Sequence, residues 1–193
     1  MITKFSLKEM KLLYIVVALQ AEAQAFVDRY KLEKSSLGMY KIFSSEKLKI
    51  IVSGMGVINA RNATQALINA YDITDEDSYL NVGICGAESS TAIGSLLAFS
   101  SVEYEGIEYK FQKKGEKLTC VDEPLSEPSY RAVDMESYGF YDAVVHNPAI
   151  QNFHILKVVS DHFKPQSVTK DGAKKLLFNQ IDAINCMLNI ERY

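Results

Sequence analysis

The chain has 193 residues, 48% hydrophobic and 23% charged, with a formal net charge of −3. That balance fits one ordinary globular domain and excludes a disordered chain, a membrane-spanning bundle and a basic nucleic-acid binder. Three widely spaced cysteines, Cys85, Cys120 and Cys186, offer neither a disulfide framework nor metal-ligand spacing and point to a reducing cytoplasm.

Residues 1–11 are polar and mixed, an N-terminal extension without the pattern of a signal peptide. Leu12 to Ala18 is an unbroken apolar, β-branched run, the pattern of a strand buried on both faces. Helix-forming residues follow from Gln20 to Val27, with Glu22 in the first turn. Gly38–Ser45 and Lys47–Ser53 read as two strands of a hairpin. Gly54-Met55-Gly56 breaks the second, and a helix is predicted from Val57 to Tyr71. Tyr79–Gly83 is the next core strand, ended by the segment Gly83-Ile84-Cys85-Gly86-Ala87. Ser95–Val102 is a further strand, Glu103–Gly115 a solvent-facing hairpin, and Leu118–Val121 a short strand running into Asp122-Glu123-Pro124. Val133 leads into a helix from Glu136 to Val145, which Pro148 stops from continuing. His154–Ser160 is the last strong strand, and an amphipathic helix from Thr169 to Asn189 closes the chain. Strands alternating with helices predict an α/β fold of three layers, αβα, around a central mixed, twisted sheet. The 193 residues are expected to form a single domain.

Three acids stand at the ends of apolar segments. Asp161 follows the buried run Ile155–Val159, so it emerges at the edge where open α/β sheets hold their ligands. As a helix cap it would need a helix just after it, which Pro165 and Gln166 delay. Glu136 follows the Ala132–Asp134 approach to a helix. Glu22 sits beside the exit of the first strand, where a surface acid favoured by the helix dipole is the competing reading. The Gly54-x-Gly56 turn lacks the third glycine of a dinucleotide loop, and no phosphate-binding Gly-Lys-Ser/Thr occurs. His146, His154 and His162 have no metal spacing, and neither Ser160 nor any cysteine sits in a nucleophile motif. Three acids without these suggest acid–base and hydroxyl-orienting chemistry on a small polar substrate.

Five segments in order resemble the nucleoside phosphorylase superfamily, and within it the 5'-methylthioadenosine/S-adenosylhomocysteine nucleosidases. They are Ala18-Leu19-Gln20-Ala21-Glu22, Ser53-Gly54-Met55-Gly56, Asn81-Val82-Gly83-Ile84-Cys85-Gly86, Val133-Asp134-Met135-Glu136 and Val159-Ser160-Asp161. The resemblance spans Leu12 to Leu188. It implies that Asp161 protonates N7 of a purine, that Glu22 positions the attacking water, and that Glu136 binds the ribose hydroxyls with Met135 packed on the sugar. Ser160, Gly83, Ile84, Val121, Asp122 and Lys157 are the further substrate-binding positions it implies. The activity expected is N-ribosyl hydrolysis of a purine-type nucleoside, with no cofactor and no metal, in a cytoplasmic homo-oligomer (a dimer or higher). The alternatives are a phosphate-dependent phosphorylase and a non-catalytic nucleoside-binding relative. The chain departs from the family pattern at Ile84, where a small hydroxyl residue is common, at Lys157, where the nucleosidases carry arginine, and at Pro124, where an aromatic residue usually stacks on the base. The segment between Val102 and Leu118 is also much shorter than in the family, where it supplies substrate loops, a helix and part of a dimer surface.

Overall fold

The computed structural model describes residues 11–189, so residues 1–10 of the expected N-terminal extension lie outside it. In chain order the elements are β1 (Leu13–Val17), α1 (Gln20–Tyr30), β2 (Glu33–Leu37), β3 (Tyr40–Ser44), β4 (Leu48–Val52), α2 (Val57–Ala70) and β5 (Ser78–Ala87). There follow β6 (Leu96–Tyr104), β7 (Ile107–Lys110), β8 (Glu116–Cys120), β9 (Ala132–Asp134), α3 (Ser137–Val145), β10 (Asn152–Asp161), a 3-10 turn (Pro165–Ser167) and α4 (Lys170–Met187).

All five side chains of β1 are buried. Because successive side chains point to opposite faces, Leu13, Ile15 and Val17 enter one half of the core, and Tyr14 and Val16 the other. Such a strand needs a layer on each face. Ala23 and Phe26 of α1 with Leu177, Ile181 and Ile184 of α4 fill the first half. Ala63 and Leu67 of α2 with Phe140, Ala143 and Val144 of α3 fill the second. The three-layer αβα arrangement and mixed sheet expected from the sequence are therefore the ones observed. Where α2 and α3 meet, a Cβ on Gly139 would lie 2.0 Å from the Val57 carbonyl oxygen, so only glycine permits that approach.

Strands β2, β3 and β4 form an antiparallel arm, and β4, β1, β5 and β10 run parallel side by side. Beyond β10 the sheet curls back. β10 pairs antiparallel with β6, β6 parallel with β8, β8 parallel with β9, and β9 antiparallel with β5. Strands β5, β10, β6, β8 and β9 thus close a ring, with β7 a hairpin outside β6.

Three elements differ from the sequence reading. β5 does not end at Gly83: its second half gains partners on both sides, Lys157, Val158 and Val159 of β10 and Val133 and Ala132 of β9, so the glycine-rich segment continues as strand. Ala132–Asp134 is a short strand rather than an approach to a helix, because it fills the gap between β5 and β8. β2 is an added edge strand whose residues Glu33–Ser36 are exposed.

Candidate active site

The ring's strand ends converge on a cavity of about 280 Å³, lined by Glu22, Ile84, Val121, Met135, Glu136, Ser160 and Asp161 among the residues singled out in the sequence. All three candidate catalytic and sugar-binding acids face this one space, though they come from α1, the start of α3 and the end of β10. Glu22, Glu136 and Asp161 are each no more than 7% exposed.

Glu22 is held from both sides. Its Oε2 accepts the Leu19 amide at 2.8 Å and its Oε1 the Ile84 amide at 3.0 Å. The helix-dipole reading is half right, since Glu22 does cap α1, but its second oxygen reaches across to β5. That reach needs Gly83. A Cβ there would stand 2.7 Å from Glu22 Oε1. Burial pushes the Glu22 carboxyl above its ordinary range, against the backbone amides and the Lys157 ammonium, which favour the anion.

Glu136 is the N-cap residue of α3, and its Oε1 accepts the Gly56 amide at 3.0 Å. Gly54 and Gly56 have φ of +86° and +98°, a backbone that favours glycine. The Gly-x-Gly turn therefore serves a protein carboxylate and leaves Met55 on the cavity wall. Burial pushes Glu136 up to about 7; Lys157 opposes the rise, and Asp134 and Glu22 reinforce it.

Asp161 owes its aim to a bulge. Val159 pairs with Cys85 and Asp161 with Gly86, which leaves Ser160 as the extra residue, and a bulge re-aims the side chains beside it. Asp161 Oδ1 accepts the Lys164 amide at 2.7 Å, capping the turn before Pro165. The Ser160 hydroxyl lies 2.8 Å from Asp161 Oδ2 and 3.0 Å from the Cys85 carbonyl oxygen, and donates to one at a time. Capping and pocket-lining are both performed by the one carboxylate.

Three expected positions do not line the cavity. Gly83 lies beneath Glu22, where its missing side chain makes the room described above. Asp122 follows Val121 out of the sheet, so the alternation that turns Val121 inward turns Asp122 away; it accepts the Tyr104 hydroxyl at 3.0 Å in an adjoining cavity that shares Met55. Lys157 is fully buried behind the floor, its Nζ 2.8 Å from Asp134 Oδ2. Burial alone would lower its ammonium, but Asp134, Glu136 and Glu22 hold it above the ordinary value.

The sequence reading missed Asp134 and Phe163. Asp134 lines the cavity, accepts the Ser137 amide at 2.9 Å and the Ser137 hydroxyl at 2.6 Å, and holds Lys157. An acid in a buried three-residue segment three positions before a serine was the available signal. Phe163 enters the wall beside Pro124, Leu125, Pro165 and Val168 with φ +56°; nothing local in the sequence announces that conformation. Among the described residues, no lysine, arginine or histidine lines the cavity.

The ring, the antiparallel arm and the helices on both faces are those of the nucleoside phosphorylase-like α/β fold. Among solved structures, the chain is similar to a 5'-methylthioadenosine/S-adenosylhomocysteine nucleosidase described as putative from Francisella philomiragia, at 14% identity and a TM-score of 0.75 over 93% of this chain and 99% of that one. It is similar also to the 5'-methylthioadenosine nucleosidase of Arabidopsis thaliana (18%, TM-score 0.73, 91% and 96%) and to the futalosine hydrolase of Helicobacter pylori (14%, TM-score 0.75, 93% and 98%). No family model and no curated protein matches the chain. Among the described residues, no helix is long and apolar enough to cross a membrane.

Proposed function

We propose that the protein is an N-ribosyl hydrolase that cleaves the glycosidic bond of a purine-type nucleoside, with methylthioadenosine and S-adenosylhomocysteine as the model substrates. The observation that carries this reading is the convergence of Glu22, Glu136 and Asp161 on one largely apolar cavity with no basic side chain among the described residues of its wall. Breaking an N-glycosidic bond leaves positive charge on the sugar and negative charge on the base, so one carboxyl donates a proton while others steady the sugar. Asp161, at the bulged end of β10, gives its proton to N7 as the bond from C1' to the base breaks. Glu22 accepts a proton from the water that attacks C1', and its raised proton affinity suits a base working near neutral pH. Glu136 binds the ribose hydroxyls with Met135 against the ring. A phosphate acceptor would meet buried acids and no countercharge, which favours water.

The same reading takes the chain as a single domain that acts in the cytoplasm on a small-molecule nucleoside and self-associates. Exposed Met55 and Ile58, beside the cavity mouth, support self-association. The similar structure of the 5'-methylthioadenosine/S-adenosylhomocysteine nucleosidase from Neisseria meningitidis is a complex with methylthio-immucillin-A, which supports a small-molecule ligand here.

Incubation with methylthioadenosine, adenosine and inosine, with and without phosphate, tests the proposal. Free base released at the same rate in both conditions is the expected result. Strict phosphate dependence would make the protein a phosphorylase, and no turnover with a nucleoside-induced rise in Tm would make it a binding protein.

A further inference from the structure

Behind the cavity floor lies a charge group larger than the three acids the reaction uses. Asp134 and Lys157 are buried with Glu22 and Glu136, giving three carboxyls and one ammonium of which only the carboxyls border the cavity. The pair is built with care. Lys157 Nζ sits 2.8 Å from Asp134 Oδ2, and the same carboxylate receives the Ser137 amide and hydroxyl. Asp134, Met135, Glu136 and Ser137 are consecutive, so Asp134 closes the turn on which Met135 and Glu136 stand. Lys157 also lies opposite Gly83 across the β5–β10 pair, and Gly83 is the residue over which Glu22 reaches.

We propose that Lys157 is a positioning residue: paired to Asp134, it fixes the Met135–Glu136 turn and supplies the one buried positive charge that, among the described residues, acts on both Glu22 and Glu136. The inference rests on the hydrolase reading for its consequence in turnover, but not for its electrostatics. With one cation among three buried carboxyls, Glu136 is pushed up to about 7 and shares a proton with solvent near neutral pH, and Lys157 opposes that rise. Glu136 then accepts a hydrogen bond from one sugar hydroxyl when ionised and can donate one when protonated. Among the described residues, Cys85 on β5, Cys120 on β8 and Asp161 at the end of β10 also face the cluster, with Glu116 of β8 acting on Cys85 from further out. Both thiols are pushed up by burial and stay neutral, which leaves Lys157 as the cation that these acids share.

The test follows the Glu136 carboxyl by 13C NMR across pH in the parent, Lys157→Met and Lys157→Arg. In Lys157→Met the Glu136 titration is expected to move up by about one pH unit or more, and in Lys157→Arg to stay close to the parent. With methylthioadenosine as substrate, the acid limb of kcat/KM moves up with it, so a loss at pH 7 recovers as the pH is raised; a merely structural defect would lower the rate at every pH. Unpaired Asp134 could unfold the single variant. Lys157→Met combined with Asp134→Asn removes both charges and keeps an acceptor for Ser137, and there Glu136 is expected to titrate between the parent and the single variant. A Glu136 titration unchanged from the parent in either Met-containing variant overturns the inference. Absence of turnover in the parent overturns the hydrolase reading alone, because the NMR titration still reports Lys157.

Discussion

Adding one methyl group at Gly83 separates position from chemistry at Glu22. An alanine Cβ would begin 2.7 Å from Glu22 Oε1 and 3.3 Å from its Cδ, whereas ordinary contact starts near 3.4 Å. Glu22 must therefore retreat by about 0.7 Å. It cannot do so freely, because Oε1 accepts the Ile84 amide at 3.0 Å and Oε2 the Leu19 amide at 2.8 Å. Losing the Ile84 bond costs about 1.5–3 kcal/mol, the range for hydrogen bonds to charged groups. A displacement near 1 Å of a catalytic group costs up to about 100-fold in rate. Gly83→Ala is thus expected to fold, with Tm lowered by several degrees, and to lose about 10- to 100-fold in kcat with methylthioadenosine. Free-base release under single-turnover conditions, with circular dichroism as the control for folding, measures both. A folded variant with kcat within about twofold of the parent would refute the placement of Glu22 as the group that handles the water.

Asp161→Asn keeps the turn acceptor for the Lys164 amide but removes the acid, and should lower turnover by at least about 100-fold; near-normal activity would remove Asp161 from the reaction. Glu136 reads out in stability as well as activity. Its folded value near 7 stands above the ordinary 4.5, so the folded protein binds the extra proton between those values and loses stability as pH rises through that window. Glu136→Gln should therefore match the parent in unfolding free energy at pH 4.5 and exceed it at pH 8, by up to about 3 kcal/mol, as measured by urea unfolding. A variant less stable than the parent at pH 8 would contradict this. Gly139→Ala drives a Cβ to 2.0 Å from the Val57 carbonyl oxygen and should destabilise by about 3 kcal/mol or more in urea unfolding, by forcing α2 and α3 apart.

Much of the fold is legible because its central strands are buried on both faces. Leu13–Val17 and Ile155–Val159 are apolar without alternation, and both are where the sequence puts them. β2 is not legible, since Glu-Lys-Ser-Ser-Leu has no apolar pattern and pairs on one side only. Nor is the continuation of β5 through Gly83 and Gly86: those glycines are there for close approach, to Glu22 and to Asp161 and Val133, and in sequence look like a turn. Glu22, Glu136 and Asp161 could be found because each follows an apolar segment. The Asp134–Lys157 pair joins positions 23 apart on different strands, a contact that periodicity does not encode.

Among the described residues, β10 is the last strand to be synthesised, yet it stands in the middle of the sheet, between β5 and β6. On the ribosome, everything up to Gln151 emerges with two unfilled strand edges facing each other across the place β10 will take. Each edge is a template for pairing with another chain, so the nascent protein passes through a stage in which aggregation competes with completion. The strand that ends this stage also carries Lys157, Ser160 and Asp161, so closing the sheet and completing the site are one event.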